Sequence, residues 1–467
     1  MKNVNGFLDI KKTDRTYLPI AERVLNFDEF VKSLPKDDLQ QQAIRCMDCG
    51  TPYCHVSCPL HNLIPDWNSL ISENDYKNAL IQLHSTNNFP EFTGRICPAP
   101  CEAGCTLNID NNPVSIKTIE CAIIDYAFEK NWIKPQIPEI KTDKKIAIIG
   151  SGPAGMAAAQ QLVRMGHSVV LYEKNKKAGG LLRYGIPDFK LDKKIIDRRL
   201  EQMTQEGLIL KTGLNVGVDV SIQDLQQKCD AILLTGGCEI PKDLKISGRD
   251  SSDIYFAMNY LSQQNKINSS ENLLDEFLIT AKDKNVIVIG GGDTGSDCIG
   301  TAVRQGAKKI TQLEIMPKPP IQVDKFTNWP KWEHKFRTSS SQEEGVERIF
   351  STTTAEFINE NNKLTAIKTY KVDDKFHKID DSDKTIDADI VFLAMGFVAP
   401  IYDESLQQLD IKTDKRGNIK TDKKYQTNIA KIFSAGDMKN GQSLVVTAIN
   451  DGRLSATAIN NFLKESA

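Results

Sequence analysis

Two segments of the chain share one pattern, which is an apolar run, a glycine-rich turn, a helix-like stretch and a second apolar run. The first is KKIAIIGSGPAGMAAAQQLVRMGHSVVLYEK, and about 140 residues later the pattern returns in KNVIVIGGGDTGSDCIGTAVRQGAKKITQLEIM, from Asn285 to Met316. Such an order is typical of parallel βαβ units. We therefore predict two nucleotide-binding domains. Because the strand-like AKIFSAGDMKN precedes a helix-like tail, we expect the chain end to return to the first of them.

The first unit carries a GxGxxG turn directly after its first strand, formed by Gly150, Gly152 and Gly155. These glycines permit a tight turn, close approach of a pyrophosphate to backbone amides, and close packing of helix on strand. Glu173, at the end of the second strand, is placed to accept hydrogen bonds from an adenosine ribose. A turn that serves packing alone is the alternative, but the strand, helix and terminal acid together favour a dinucleotide.

The second unit repeats this turn with Gly290, Gly292 and Gly295. Two dinucleotide sites in one chain predict a flavin and a nicotinamide that exchange hydride. Glu314, near the end of the second strand, suits a free 2′-hydroxyl, whereas Lys318 is a candidate partner for a 2′-phosphate. The choice between NADH and NADPH therefore stays open at this stage.

Cysteine is concentrated near the start, where eight of the eleven lie between Cys46 and Cys121. In a reducing compartment such crowding indicates metal rather than disulfides. Seven of them form two runs, Cys46-x2-Cys49-x4-Cys54-x3-Cys58-Pro59 and Cys97-Pro98-x2-Cys101-x3-Cys105. A close Cys-x2-Cys pair and a late Cys followed by Pro are features of two-cluster ferredoxins. We predict two 4Fe-4S clusters with interleaved ligands.

Seven cysteines are one short of the eight ligands that two such clusters need. Cys121 and the adjacent Glu120 are the two candidates for the eighth. Structural zinc is the alternative metal, but zinc ribbons favour two Cys-x2-Cys pairs and these runs contain one. The other three cysteines are predicted to pack as small hydrophobes. They are Cys229, Cys238 and Cys298.

The overall charge gives no reason to expect a nucleic acid or an anionic membrane as partner, because 59 basic residues face 61 acidic ones. For the same reason, Trp329, Trp332 and Phe336 are expected in a packed interdomain loop rather than on a nucleic-acid surface. The start, MKNVNGFLDIKK, lacks the apolar core of a secretion signal, and no stretch approaches the roughly 18 apolar residues of a membrane span. We expect a cytoplasmic protein.

Several separate segments give the chain a specific resemblance over essentially its whole length. They are CMDCGTPYCHVSCPL, GRICPAPCEAGC, IIGSGPAGMAAA, GGLLRYGIPDFKL, IGGGDTGSDC, NWPKW, RTSSSQEEG and SAGDMKNGQSLVVTAINDGR. In these segments the chain resembles the small subunits of bacterial glutamate synthases. The resemblance implies an α/β protein, with an N-terminal all-α iron-sulfur domain and an adrenodoxin-reductase-like pair of Rossmann-like domains, the second inserted in the first. We predict the iron-sulfur domain at 1–140, the FAD-binding domain at 141–250 and 397–467, and the NAD(P)H-binding domain at 251–396.

The resemblance also implies which residues hold each cofactor. One cluster is expected on Cys46, Cys49, Cys54 and Cys105. The other is expected on Cys58, Cys97, Cys101 and Glu120, which makes Glu120 rather than Cys121 the eighth ligand. FAD is expected beside the loop residues Gly179, Gly180, Leu181, Arg183, Gly185 and Pro187. Further FAD contacts are expected from Gly436, Asp437, Ser443, Leu444, Val445 and Val446. Independently of the resemblance, the second glycine-rich unit predicts the NAD(P)H contacts, which are Gly290, Gly292, Asp293, Thr294, Gly295, Glu314 and Lys318.

Two of these expectations have a physical basis. The segment from Ser443 to Val446 is expected near the isoalloxazine, where a helix N-terminus stabilises negative charge on a reduced flavin. Asp437 would repel a phosphate, so it is expected to bond ribityl hydroxyls or to bind through water. Relatives often carry an Arg shortly after the Pro-Pro pair, whereas this chain has Val323 and Asp324, which weakens the preference for NADPH over NADH.

The implied activity is the transfer of electrons from NADPH, with NADH possible, through FAD and two 4Fe-4S clusters to an FMN-containing large subunit. That partner would make glutamate from 2-oxoglutarate and glutamine. The first alternative is a reductase with another partner, such as a sulfide dehydrogenase or a ferredoxin-dependent transhydrogenase subunit. The second is an iron-sulfur assembly or scaffold protein without turnover.

Overall fold

The structure is a computed structural model that describes residues 5–271, 273, 278–402, 407 and 409–465. The predicted domain ends at residues 1–4 and 466–467 lie outside the described residues. No helix in the described part of the chain is both long and apolar enough to cross a membrane.

The N-terminal region is a bundle of short helices around the cysteines. Its α-helices are α1 Gly6–Asp9, α2 Ile20–Arg23, α3 Lys36–Ile44, α4 Tyr53–Ser57, α5 Ile64–Ser72, α6 Tyr76–Thr86, α7 Pro90–Ile96, α8 Pro100–Gly104 and α9 Ile116–Glu129. A 3₁₀ turn, Thr106–Asp110, and an antiparallel ribbon of β1 Thr16–Tyr17 and β2 Val31–Lys32 complete it. Proline begins α7 and α8, where a missing N–H costs no helical hydrogen bond. The helical character predicted for this region is confirmed, and the ribbon is an addition to it.

The first Rossmann-like sheet is fully parallel, in the order β17-β6-β3-β4-β5. Its strands are β3 Lys145–Ile149, β4 Ser168–Glu173, β5 Ile209–Thr212, β6 Ala231–Leu234 and β17 Ile432–Ser434. Its helices are α10 Pro153–Arg164, α11 Leu181–Tyr184, α12 Lys193–Glu206, α13 Ile222–Lys228, α18 Asp437–Asn440 and α19 Val445–Glu465. The central strands read as continuous apolar runs because helices cover both faces of the sheet.

The second Rossmann-like sheet is also parallel, in the order β11-β10-β9-β15-β8. Its strands are β8 Ile254–Phe256, β9 Asn285–Ile289, β10 Lys309–Leu313, β11 Glu347–Ile349 and β15 Ile390–Leu393. An antiparallel sheet follows β11, formed by β12 Thr352–Glu360, β13 Lys363–Lys371 and β14 Lys384–Asp387. The helices of this region are α14 Ala257–Asn268, α15 Asp293–Arg304, α16 Lys325–Asn328 and α17 Ser340–Glu343.

The second sheet is inserted in the first, because its strands lie in sequence between β6 and β17. The two segments in which the chain passes between the domains pair as an antiparallel ribbon. They are β7 Ile240–Pro241 and β16 Phe397–Ala399. The predicted fold class, including the insertion, is confirmed.

The N-terminal helical region and the first Rossmann-like domain are joined by a buried ion pair. The Arg199 guanidinium in α12 donates two hydrogen bonds to the Glu91 carboxylate in α7, at 2.6 and 2.9 Å, and both side chains are fully buried. Helices α10 and α19 also pack closely, because Gly452 brings its backbone within van der Waals contact of Ala154. The ion pair holds α12 against α7 of the cysteine-rich region, and the close packing holds α19 against α10.

Candidate functional site

Four of the cysteines line a first cavity in the N-terminal region. The four are Cys46, Cys49, Cys54 and Cys105. They come from the loop after α3, from α4, and from the end of α8. The structure thus brings together the four residues that the resemblance assigned to one cluster, although they are up to 59 positions apart in the chain.

A second cavity lies beside the first. Its lining includes the other predicted set, Cys58, Cys97, Cys101 and Glu120. Ile64 and Ile116 line both cavities and therefore form a shared wall. Val446, from the first turn of α19, also lines the second cavity. This residue is a direct link between the cysteine-rich region and the segment predicted to lie beside the flavin.

The two cavities differ in exposure. Cys46, Cys49 and Cys54 of the first cavity are half-buried, whereas every donor of the second is buried. Burial raises the pKa of Cys46 to about 11, and the Asp48 backbone and the Asn68 side chain oppose that rise. Burial likewise raises the pKa of Cys97 to about 12. These sulfurs are neutral thiols until a metal displaces their protons.

Glu120 is directed into the second cavity, and Cys121 is not. The Glu120 Oε1 accepts hydrogen bonds from Asn87 Nδ2 at 3.0 Å and from Thr93 Oγ1 at 2.6 Å, and burial raises its pKa to about 7. The Cys121 thiol instead lies between Arg95 Nη1, at 3.4 Å, and Asp125 Oδ2, at 3.6 Å. Neighbouring residues on α9 point in different directions because successive positions differ by about 100°. The hydrogen bonds from Asn87 and Thr93 thus both end on the Oε1 atom of Glu120.

Within the described ranges, no three His, Cys, Asp or Glu side chains converge on one metal-ion position. The sulfurs surround two cavities instead. Four donors around a cavity are the arrangement that a multi-iron cluster needs, because each donor binds a different iron.

The first glycine-rich turn is built for close backbone approach. Gly150 has φ +100°, and a Cβ there would lie 2.5 Å from the Thr235 carbonyl oxygen. A Cβ on Gly155 would lie 2.0 Å from the Gly150 carbonyl oxygen. A Cβ on Gly152, by contrast, would meet no atom within 4 Å. The turn therefore opens at Gly152, at the N-terminus of α10, where a phosphate is expected to bind.

The loop predicted to lie beside FAD covers this opening. A Cβ on Gly180 would lie 2.8 Å from the Gly152 Cα, so the loop closes tightly on the turn. Arg183 is buried, donates from Nε to the Ala178 carbonyl at 2.5 Å, and pairs with Asp197. Its Nη1 is buried without a hydrogen-bond partner among the described residues. An unpaired guanidinium nitrogen and an open glycine turn fit an anionic dinucleotide. Gly179 and Gly185 flank this segment, and Pro187 follows it.

Glu173 ends β4 beside the same turn, as predicted, and its carboxylate already has protein partners. Its Oε2 accepts from Ser151 Oγ at 2.5 Å, and its Oε1 accepts from Asn175 N and Nδ2 at 2.8 and 2.7 Å. The carboxylate thus fixes the glycine-rich turn to the loop after β4.

The C-terminal segment around Gly436 packs against the start of α10, directly after the first glycine-rich turn. Gly436 has φ +68°, its N–H donates to Asp451 Oδ2 at 2.6 Å, and a Cβ there would lie 2.7 Å from the Ala154 Cβ. The Asp437 carboxylate, expected on ribityl hydroxyls, accepts from Ser443 Oγ at 2.6 Å. Burial raises the pKa of Asp437 to about 6, against the effect of the Ser443 hydrogen bonds. Ser443 and Leu444 precede α19, which begins at Val445.

The second glycine-rich turn repeats this geometry. A Cβ on Gly290 would lie 2.2 Å from the Ala394 carbonyl oxygen, one on Gly295 would lie 2.4 Å from the Gly290 oxygen, and one on Gly292 would meet nothing within 4 Å. Asp293 and Thr294 form the first turn of α15 behind that opening. The turn therefore has room for a second pyrophosphate.

Glu314 lies directly over the second turn, since a Cβ on Gly291 would lie 2.1 Å from its Oε2. Arg348, in β11, donates from Nη2 to Glu314 Oε1 at 2.9 Å, and its Nε is buried without a hydrogen-bond partner in the described part of the chain. Lys318 lies over the ring of Phe336, 4.7 Å from its centroid. The sequence reasoning did not identify Arg348. The parallel pairing of β10 with β11 is what brings it to Glu314.

The aromatic segment after α16 packs against the first cavity. The Trp329 ring lies 4.6 Å from the ring of Tyr53, and its Nε1 donates to the Cys105 carbonyl at 3.2 Å. The Trp332 ring is 46% exposed, with Arg337 over its face. Of the three isolated cysteines, Cys298 and Cys238 are buried and Cys229 is half-buried.

Known protein families match the cysteine-rich region and the two Rossmann-like domains separately. Residues 144–452 match the family of pyridine nucleotide-disulphide oxidoreductases, and residues 23–132 match the family described as dihydropyrimidine dehydrogenase domain II, 4Fe-4S cluster. The glutamate synthase [NADPH] small chain of Mycobacterium tuberculosis H37Rv is 46% identical over 476 residues, which covers 100% of this chain and 97% of the relative.

Two further comparisons are informative. The glutamate synthase [NADH] of Schizosaccharomyces pombe is 43% identical over 479 residues, which covers 98% of this chain and 23% of that protein. Among solved structures, Mycobacterium tuberculosis FprA in complex with NADPH has a TM-score of 0.55 at 16% identity, covering 70% of this chain and 86% of FprA. At that identity the likeness concerns the fold alone.

Proposed function

The chain belongs to the family of glutamate synthase small chains, and we propose that it passes electrons from NADPH to a separate large subunit. It is an NADPH-dependent oxidoreductase with FAD and 4Fe-4S chemistry. We propose that the large subunit uses the electrons to make glutamate from 2-oxoglutarate and glutamine, and that two clusters lie on the path to it.

One observation carries this proposal. The cavity lined by Cys58, Cys97, Cys101 and Glu120 is also lined by Val446, at the start of the helix beside the first dinucleotide turn. The other cavity shares a wall with it and has the more exposed cysteines. The chain therefore offers a continuous succession of sites from a dinucleotide to the half-buried first cavity.

When bound, FAD accepts hydride from the nicotinamide, and the clusters carry electrons one at a time. The protein residues position these groups. The turn at Gly152 exposes backbone amides to a pyrophosphate, and Arg183 supplies the charge that an anionic cofactor needs. The N-terminus of α19 supplies a positive dipole beside the flavin. Hydride transfer between stacked rings needs proximity and orientation but no protein nucleophile.

Binding of a cluster also requires the cysteine thiols to lose their protons. Burial raises the pKa of Cys58 and of Cys97, so these thiols bind iron only when their protons are released. We propose that the first cavity holds its cluster on Cys46, Cys49, Cys54 and Cys105. We propose that the second holds its cluster on Cys58, Cys97, Cys101 and Glu120.

The carboxylate ligand gives a direct test. With Glu120 Oε1 bonded to Asn87 and Thr93, Oε2 is the atom that we propose binds iron. Glu120→Ala should lower occupancy of the second cluster by more than about 10-fold, because residues that merely support a ligand already cost about 10- to 100-fold in affinity. Glu120→Cys should keep the cluster and change its EPR spectrum. The measurements are iron content, acid-labile sulfide and EPR.

Glu120→Gln is the matched control, because it removes the negative charge and keeps the shape of the side chain. It preserves the volume and an oxygen donor, so partial occupancy is expected. Full occupancy and an unchanged spectrum in Glu120→Ala would contradict the role of Glu120 and would leave the eighth ligand to another donor.

The Glu314–Arg348 pair gives a second test, of nucleotide preference. An acid at this position suits a ribose 2′-hydroxyl, whereas the adjacent Arg348 suits a 2′-phosphate. A charge-assisted hydrogen bond contributes about 1.5–3 kcal/mol. Arg348→Leu should therefore weaken NADP⁺ binding by about 10- to 100-fold and leave NAD⁺ binding nearly unchanged. The dissociation constants for the two nucleotides measure this.

Lys318→Leu is the control, because its ammonium lies over Phe336 rather than on Glu314. It should change the ratio of the two dissociation constants less than Arg348→Leu does. An unchanged ratio in Arg348→Leu would exclude Arg348 from recognition of the 2′-phosphate.

Reconstitution tests the whole proposal. The purified chain is mixed with an FMN-containing large subunit, and glutamate formation from glutamine and 2-oxoglutarate is followed with NADPH. We expect one glutamine-derived amino transfer for each NADPH oxidised. If dye reduction by NADPH persists and glutamate never forms with this partner, a reductase with a different acceptor protein becomes the better account.

A further inference from the structure

One side chain in the first cavity has unused hydrogen-bonding capacity. Asn68, in α5, is fully buried and belongs to the lining that contains Cys46, Cys49, Cys54 and Cys105. Neither its Nδ2 nor its Oδ1 makes a hydrogen bond of normal length among the residues that the structure describes, but its side chain faces the Cys46 sulfur and lowers the pKa of that thiol. A buried carboxamide without partners is costly, so such groups usually face a ligand or an ordered water.

The surroundings of Asn68 leave few protein partners for it. Besides the four cysteines, the cavity wall is largely apolar, with Ile64, Leu107, Val114 and Ile116 in its lining. Thr106 is a polar neighbour, but its Oγ1 already lies 3.6 Å from Cys49 Sγ. The sulfurs on and between the irons are therefore the acceptors that the cavity offers to the Asn68 N–H groups.

The second cavity gives an internal comparison. Asn62 belongs to its lining, but the Asn62 Oδ1 accepts a hydrogen bond from Thr86 Oγ1 at 2.7 Å. That contact fixes the Asn62 amide to α6. In the described residues, the first cavity thus combines four cysteine donors with a buried amide that faces one of their sulfurs and makes no hydrogen bond of normal length elsewhere.

Hydrogen bonds to sulfur stabilise the more negative, reduced form of an iron-sulfur cluster and so raise its reduction potential. From this geometry we propose that Asn68 donates a hydrogen bond to a sulfur of the first cluster and raises its reduction potential. Asn68 acts as a positioning and tuning residue, because it is not itself an iron ligand. The inference rests on the proposed function. It means that electrons leaving the second cavity are drawn toward the first.

The test is an EPR-monitored redox titration of the oxygen-protected holoprotein. Asn68→Leu removes the donors at nearly constant volume, and Asn68→Asp replaces them with a carboxylate. We expect Asn68→Leu to lower the potential of the first cluster by about 59 mV, a tenfold change for a one-electron couple. Asn68→Asp should lower it further. The signal that changes in Glu120→Cys identifies the second cluster, whose potential should stay constant.

The readout separates this inference from the proposed function. Dye reduction by NADPH should continue in both variants, and a failure of that activity in the unmodified chain would instead count against the enzyme itself. A first-cluster potential that moves no more than the second overturns the tuning role. Loss of the first cluster in both variants, with the second retained, also overturns it, because Asn68 would then hold the cavity together rather than tune it.

Discussion

Replacing Cys101 by alanine is expected to stop electron delivery to the large subunit while NADPH still reduces an artificial acceptor. Cys101 is buried and lines the second cavity, which is also lined by Val446 of α19 and shares a wall with the first cavity. Loss of supporting residues costs about 10- to 100-fold in metal affinity, so loss of a ligand should reduce glutamate formation by more than about 100-fold. Iron content should fall to about half, because one of two equal clusters is lost.

Cys121→Ala is the matched control for this experiment. Its thiol lies between Arg95 and Asp125 and lines neither cavity. This variant should keep its iron, its sulfide and its rate of glutamate formation. Equal losses in Cys101→Ala and Cys121→Ala would contradict the separation of the two roles.

Replacing Gly152 by valine is expected to leave the fold intact and to remove FAD. A Cβ at Gly152 meets no protein atom within 4 Å, so the added methyl groups can only enter the space where a pyrophosphate is expected. Overpacking costs about 1–3 kcal/mol. FAD affinity should fall by about 10- to 100-fold. Flavin absorbance after gel filtration and the far-ultraviolet circular dichroism spectrum measure the two effects.

Gly292→Val is the reciprocal variant, because Gly292 has the same free space in the second turn. It should keep FAD and lose nicotinamide nucleotide by a similar factor. At both positions an added Cβ meets no protein atom within 4 Å, so each variant is the control for the other. Loss of FAD in Gly292→Val, with retention in Gly152→Val, would reverse the assignment of the two turns.

The local elements were predictable from sequence because their signals are local. The apolar run, the glycine turn and the helix appear in order in both βαβ units, and β3 and β9 begin at Lys145 and Asn285. The cysteine spacings also indicated two clusters, but spacing alone left Glu120 and Cys121 as equal candidates. Only the resemblance favoured Glu120. The structure separates the two because successive positions on α9 differ by about 100°, so that Glu120 meets Thr93 whereas Cys121 meets Arg95.

The residues that the sequence did not reveal depend on contacts between distant segments. Arg348 reaches Glu314 through pairing of β10 with β11 across a long insertion. Asn68 enters the first cavity because α5 packs beside the cysteine loop, and neighbouring residues in sequence give no sign of it. Val446 was predicted near the flavin, but its place in the wall of the second cavity required the packing of α19 on α10. No periodicity or motif encodes such contacts.

The most direct test is a reductive titration of the oxygen-protected chain, with flavin, iron and acid-labile sulfide measured on the same sample. A flavin and two clusters should take up about four electrons per chain, two on the flavin and one on each cluster. NADPH should bleach the flavin absorbance. Uptake of about two electrons by a preparation with no iron or sulfide, or a flavin that NADPH leaves oxidised, would contradict the proposed electron path.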